Sequence, residues 1–150
     1  MRFERDIEIH SPKEKVWRFL WDVDRFIACV PGCKEAGTVE PGKRYSATMV
    51  EKVGPFRVEF PMNIDVQESR ELSYIKAVAS GSDSKIGSRM KVELEVSLAG
   101  EGDQTKLGLA VNVDILGKLA TLGHSMIKRK ADQVMDQFAG NLKQKLEANA

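Results

Sequence analysis

The chain has 150 residues, enough for one domain with a substantial core, and its 23 Lys and Arg against 22 Asp and Glu leave a net charge of +1. Nucleic acid is usually bound by a strongly basic surface, so this balance argues against a nucleic-acid partner. The N-terminus lacks the apolar stretch of a secretion signal, and no run of roughly 18 apolar residues occurs. The sequence therefore predicts a cytoplasmic protein with a single domain over residues 1–150.

The N-terminal part of the chain predicts one strand followed by two short helices. The segment FERDIEIH at residues 3–10 alternates apolar and acidic side chains, as a strand with one buried face does. Ser11 is expected to be the N-cap of the first helix, with Pro12 at its first position and Glu14 completing a capping box. The second helix is expected over residues 23–30, where a Val-Pro-Gly turn begins.

Six further strands and one long helix complete the predicted architecture. The clearest strand, FRVEFPMNIDV at residues 56–66, carries six apolar side chains on one face and polar ones on the other. One-sided strands need a cover, and the segment 117–142 is the one stretch long enough to provide it. We therefore predict an α+β fold in which a seven-stranded, curved antiparallel sheet wraps around a long C-terminal helix. The apolar stripe expected on this helix comprises Leu116, Leu119, Gly123, Met126, Ile127, Val134 and Phe138.

Three segments carry a family resemblance: SPKEKVWRFLWDVDRFIACVPGCKEAG, KVGPFRVEF and GKLATLGHSMIKRKADQVMDQFAGNL. They resemble the CoxG family of carbon monoxide dehydrogenase subunits, within the START-like, Bet v 1-like (SRPBCC) superfamily, over nearly the whole chain. The resemblance implies the helix-grip fold and an accessory protein of molybdenum-containing dehydrogenases, which acts in maturation or in recruiting the enzyme to the membrane. It implies as partners a hydrophobic small molecule, a molybdenum hydroxylase complex and the inner face of the membrane, contacted peripherally.

Small residues at the start of the long helix predict a cavity between helix and sheet. Gly117, Ala120, Thr121 and Gly123 are expected to leave volume unfilled there. The alternative is that these residues allow the helix to approach the sheet closely. If Gly123 faces the cavity, Gly123→Leu should fill it and stabilise the protein by about 0.5 to 2 kcal/mol.

The ligand expected in this cavity is a quinone, an isoprenoid or a fatty acyl chain, with no cofactor required. Methionines in the lining would adapt to a flexible guest. Phe26, Ile27 and Val30 are expected to gate the mouth, and the hydroxyls of Tyr45 and Tyr74 to meet a polar head group. Taken singly, the strand residues are better explained as ordinary core, and only their assembly favours a pocket. The expected lining is Tyr45, Met49, Val58, Phe60, Met62, Met90, Val92, Leu109 and Val111 from the strands, and Leu119, Leu122, Gly123, Met126 and Ile127 from the helix.

Catalytic and metal-binding residues receive little support from the sequence. Cys29 and Cys33 lie far along the chain from His10 and His124, the only histidines, so free thiols are expected rather than a zinc site. No nucleophile and histidine spacing indicates a catalytic triad. A cyclase or hydrolase acting on a small hydrophobic substrate is the rival class, and a docking protein with a filled core and no ligand is the third.

Lys128, Arg129 and Lys130 form a short basic run on the long helix. Such a run is usually a solvated helix face, and contact with an anionic membrane is the alternative, at about 1 kcal/mol per basic residue. Lys130 shares the helix sector of Leu119 and Val134. Either its stem extends past the sheet rim or its ammonium meets an acidic partner.

Overall fold

The computed structural model describes residues 1–148, so the last two residues of the predicted domain, Asn149 and Ala150, lie outside the described part. The elements are β1 (Arg2–Ile9), α1 (Lys13–Trp21), α2 (Val23–Ala28), β2 (Cys33–Glu40), β3 (Arg44–Val53), β4 (Phe56–Arg70), β5 (Tyr74–Asp83), β6 (Ser88–Ala99), β7 (Thr105–Gly117), a single 3₁₀ turn (Lys118–Leu122) and α3 (His124–Ala148).

The strands form one antiparallel sheet in the order β1-β7-β6-β5-β4-β3-β2. Strands β4, β6 and β7 have 15, 12 and 13 residues, and strands of this length twist and coil. A register shift between Val66 and Glu68 adds a bend to β4. The predicted α+β architecture, with a curved seven-stranded sheet around the C-terminal helix, is confirmed.

Helix α3 is attached along edge strand β1. The guanidinium of Arg5 contacts Asp132 at 3.1 Å and Asp136 at 3.0 Å. Lys128 also donates to Asp132, and the hydrogen bonds from Lys128 and Arg5 lower the pKa of that carboxyl group. The middle of the helix is therefore aligned with the sheet by charge-assisted hydrogen bonds.

The C-terminal half of α3 is held by burial. Leu142 and Leu146 are 0% and 1% exposed and pack with Val16 and Phe19 of α1 and with the inner faces of β1, β6 and β7. A second, smaller cluster lies toward the other end of the concave face and contains Leu119 together with residues of β3, β4 and β6. The interior thus has two packed clusters, and the partly buried Val92 and Val113 contact both of them.

The long helix begins at His124, not at Gly117 as predicted. Gly123 interrupts the helical backbone with φ +92° and ψ 156°, so the 3₁₀ turn and α3 have no common helical phase. A wheel drawn through both therefore misplaces residues: Leu116 and Met126 are 64% and 38% exposed. Gly117, Ala120, Thr121 and Gly123 are all exposed, so the prediction that they leave the cavity volume unfilled is wrong.

The predicted capping box at the start of α1 is also wrong. The helix begins at Lys13, and Pro12 is its N-cap without a side-chain hydrogen bond. Ser11 is buried, and its hydroxyl has no hydrogen-bond partner within the described residues. The Ser11 carbonyl instead accepts a hydrogen bond of 2.6 Å from the Thr105 hydroxyl, which ties this turn to β7.

Gly123 and Gly140 form a matched pair for testing the helix start, because both are exposed and an added Cβ would meet no atom within 4 Å at either. Gly140 lies inside α3, whereas Gly123 has a positive φ that L residues rarely adopt. We expect Gly140→Ala to raise the free energy of unfolding by about 0.5 to 1 kcal/mol and Gly123→Ala to lower it by about 1 to 3 kcal/mol.

The free energies are measured by urea denaturation. Gly123→Leu should behave like Gly123→Ala, since its side chain enters solvent rather than the cavity. A Gly123→Leu midpoint above the wild-type value would contradict this assignment.

Candidate ligand cavity

A cavity of about 310 Å³ lies between α3 and the concave face of the sheet. Its walls include members of both packed clusters, for example Phe138 from the first and Phe60 from the second. It therefore lies between the two packed clusters. Nearly all of its lining is hydrocarbon.

Most of the predicted lining residues do surround this cavity. The two short helices place Phe26 against Phe138 of α3, with ring centroids 5.4 Å apart in an edge-to-face arrangement. The predicted residues found in the lining are Phe26, Ile27, Val30, Tyr45, Met49, Val58, Phe60, Met62, Met90, Val92, Leu109, Val111, Leu119 and Ile127.

Three predicted residues lie outside the cavity: Leu122, Gly123 and Met126. Leu122 and Met126 pack against the turn between β3 and β4, where a Cβ on Gly54 would lie 2.9 Å from the Met126 sulfur. Gly123 faces solvent. All three errors follow from drawing one helical wheel through Gly123, with Leu119 and α3 in the same phase.

Alanines on the cavity walls, rather than small residues at the helix entry, leave the space open. Ala47 on β3, Ala77 and Ala79 on β5, and Ala131 on α3 all line the cavity. A larger side chain at any of these positions would occupy the gap. The alternation of alanine with larger residues in β5 is the sequence signal for this wall, and it is weak because the outer face of β5 also carries apolar residues, Tyr74 and Val78.

The two tyrosine hydroxyls have different positions from those predicted. Tyr45 lines the cavity, but its hydroxyl accepts a hydrogen bond from the Gly42 backbone N–H at 2.7 Å. Tyr74 lies on the outer face of the sheet, with the Arg70 guanidinium 4.7 Å above its ring. A head-group contact from Tyr74 is therefore wrong, because the inward residues of β5 are those with odd numbers.

One ion pair lies in the cavity wall. The Lys130 ammonium is 2.6 Å from a carboxylate oxygen of Glu51, which shares the inner face of β3 with Met49 and Val53. Of the two alternatives for Lys130, the acidic partner is confirmed. Lys128 pairs with Asp132 at 2.8 Å, so two of the three cations in the basic run are already neutralised.

Both cysteines are free thiols with different surroundings. Cys29 is buried beneath α2 and contacts the carbonyl oxygen of Arg25 at 3.5 Å. Cys33 lines the cavity, where burial and the nearby Glu51 carboxylate raise its pKa to about 11. The Cys33 thiol is therefore protonated at neutral pH.

Neither histidine contacts the cavity. His10 is exposed and its Nδ1 lies 3.1 Å from the Gln104 amide nitrogen, while His124 is the exposed first residue of α3.

Within residues 1–148, no group of three or more His, Cys, Asp and Glu side chains is arranged to hold a metal ion. In the same part of the chain, none of the helices combines the length and apolar character needed to cross a bilayer.

The acidity of Cys33 provides a test of the cavity wall. Glu51→Gln removes the carboxylate that disfavours the thiolate, so the Cys33 pKa should fall and its alkylation by iodoacetamide at pH 8 should accelerate severalfold. Peptide mass spectrometry measures Cys33 and Cys29 separately. Glu40→Gln, which removes an exposed carboxylate from β2, is the control and should leave both rates unchanged. Equal Cys33 rates in the two variants would contradict the placement of Glu51 beside the thiol.

The comparisons with known proteins agree on family and fold. The CoxG family of carbon monoxide dehydrogenase subunits matches residues 6–147. A conserved protein from Geobacillus kaustophilus has a TM-score of 0.85 at 19% identity, with 97% of this chain and 95% of that chain covered. A START superfamily protein from Mycobacterium smegmatis has a TM-score of 0.73 at 13% identity, with 99% of each chain covered. No curated protein matches the chain in sequence. The two structures share the START-like helix-grip fold, and the family match shows that the chain belongs to the CoxG family of carbon monoxide dehydrogenase subunits.

Proposed function

We propose that this protein binds one apolar molecule, quinone-like or lipid-like, in the cavity and serves as an accessory protein of a molybdenum-containing dehydrogenase of the carbon monoxide dehydrogenase type. The observation that supports ligand binding is the apolar cavity itself. Its volume of about 310 Å³ lies at the lower end of the roughly 300–1,000 Å³ typical of ligand pockets. It suits a small apolar group or one segment of a longer chain.

The energetic cost of an empty cavity supports an occupant. Cavities made by mutation destabilise proteins by about 24 cal/mol per Å³. For a closed, dry cavity of 310 Å³ that rate gives about 7 kcal/mol, and the cost here is smaller because the cavity opens to solvent. An apolar ligand that restores the missing contacts would recover much of this free energy.

The accessory role follows from family membership. In this proposal the bound molecule is an electron acceptor or a membrane lipid, and the protein delivers the acceptor or recruits the enzyme to the inner face of the membrane. The basic run is a poor membrane contact by itself, since Lys128 and Lys130 are paired with Asp132 and Glu51. Membrane contact would therefore depend on other surfaces or on the partner enzyme.

The two rival functions differ from this proposal in ways that can be measured. A cyclase or hydrolase would need an acid or base at the ligand. The cavity presents no imidazole, since both histidines lie outside its lining, and its one carboxylate, Glu51, is paired with Lys130. A docking protein without a ligand would form its dehydrogenase complex equally well after extraction of the purified protein with organic solvent. Native mass spectrometry before and after that extraction detects any copurified ligand.

Two adjacent positions on β5 test whether the cavity binds ligand. Ala77 is buried and lines the cavity, whereas Val78 points to the outer face. The test probe is N-phenyl-1-naphthylamine, a neutral apolar fluorophore. We expect Ala77→Leu to weaken probe binding by about tenfold or more, because the added carbons occupy the cavity, and Val78→Leu to leave binding unchanged.

Ala131→Leu fills the same space from the helix side and provides a second variant. The urea midpoint of the filled variants should stay at or above the wild-type value if the cavity is unoccupied. Probe affinities that are equal in wild type, Ala77→Leu and Ala131→Leu would refute binding in this cavity.

A further inference from the structure

The ion pair between Lys130 and Glu51 is the charged feature of an otherwise apolar wall. Its Nζ and Oε1 atoms are 2.6 Å apart, and the two side chains are only 29% and 19% exposed. Replacing a buried ion pair by apolar side chains of similar volume is often neutral or stabilising, so stability alone gives little reason to keep one here. A role in the cavity explains its position better.

The pair bridges two elements that otherwise contact each other little. Glu51 projects from the inner face of β3, and Lys130 lies one turn after Ile127 on α3. The second carboxylate oxygen of Glu51 lies beside Gly32, where any Cβ would collide with it at 2.6 Å. The carboxylate is thus seated between the start of β2 and the helix, next to the space a ligand would fill.

The ammonium retains hydrogen-bonding capacity after it pairs with Glu51. An ammonium has three N–H donors, and the contact with a single carboxylate oxygen uses one of them. The other polar groups nearby are less suited to this task. The Tyr45 hydroxyl lies at the exposed turn between β2 and β3, where it accepts from the Gly42 N–H, so its own O–H is far from the ion pair along β3. The Cys33 thiol is a weak donor that stays neutral because its pKa is raised to about 11.

We infer that Lys130 and Glu51 together select the ligand: Lys130 donates a hydrogen bond to a neutral oxygen acceptor, a carbonyl or hydroxyl at one end of an apolar molecule, and Glu51 excludes carboxylates. This inference rests on the proposed ligand binding in the cavity. It implies that the cavity has one polar end and that the ligand is uncharged. The apolar lining determines neither property.

The electrostatic reason is the near-neutrality of the pair. A carboxylate placed against the Lys130 ammonium would also lie within a few ångströms of the Glu51 carboxylate, so attraction and repulsion largely cancel. The incoming anion would still lose its hydration, which is costly in an apolar site. A ketone or alcohol loses far less hydration and gains a hydrogen bond from a charged donor.

The test compares three competitors with eleven carbons, namely methyl nonyl ketone, undecanol and undecanoate, for displacement of N-phenyl-1-naphthylamine at neutral pH. In the wild-type protein the ketone and the alcohol should displace the probe at concentrations about tenfold lower than undecanoate. Glu51→Gln leaves the ammonium without a counter-ion, so undecanoate should improve about tenfold or more while the ketone changes little. Lys130→Met, which removes the donor, should weaken the ketone and the alcohol about tenfold.

Glu40→Gln is the matched control. It removes one negative charge, as Glu51→Gln does, but its carboxylate is 53% exposed, pairs with Lys43 at 3.6 Å and lies outside the cavity lining. It should leave the ketone-to-carboxylate ratio unchanged, which separates a local effect from a change in net charge.

The probe carries no oxygen, so its own affinity reports the integrity of the cavity in every variant. Normal probe binding with the same carboxylate affinity in Glu51→Gln and wild type would overturn the selectivity inference and leave ligand binding intact. Failure of the probe to bind the wild-type protein would overturn both.

Discussion

The attachment of α3 to one side of the sheet is the constraint on which the interior depends. Leu142 and Leu146 are fully buried among α1, β1, β6 and β7, and Arg5 fixes the helix to β1 through Asp132 and Asp136. The helix cannot then sink into the centre of the curved sheet along its whole length. Its N-terminal half spans the concave face, and the cavity is the space beneath that half.

The cavity remains open because both of its walls, the sheet and α3, carry small side chains facing it. Protein interiors pack densely wherever side chains can meet, so a gap of about 310 Å³ requires both a backbone separation and small residues facing it. The long, bent strands supply the separation. Alanines on β3, β5 and α3 supply the small residues. Leu119 closes one end, where its backbone N–H donates to the Ser88 hydroxyl at 2.8 Å.

The interior is an apolar site with few polar groups. The lining contains hydrocarbon, thioether and aromatic groups, one protonated thiol and one ion pair, and both imidazoles of the chain lie outside it. A ligand would be held by apolar contact and oriented by few polar groups, which is the general pattern of small-molecule sites. Family membership connects the protein with carbon monoxide dehydrogenase.

Local sequence patterns were enough to predict the order of elements, the inner faces of β4, β6 and β7, and most of the cavity lining. The alternation of apolar and polar residues along a strand is a local property. It predicts the inner face correctly in any sheet that buries one face. The helix entry could not be predicted in this way. Gly123 takes a positive φ, so the phase of α3 could not be read through it, and Leu122 and Met126 left the predicted lining.

The faces of β5 and the partner of Lys130 were also settled only in three dimensions. Both faces of β5 carry apolar residues, and the sheet neighbours decide that Ala77 rather than Tyr74 points inward. Lys130 lies on the apolar face of its helix, and Glu51 is 79 positions away in the sequence. Nothing local links these two residues, because their 2.6 Å contact exists only where α3 crosses the inner face of β3.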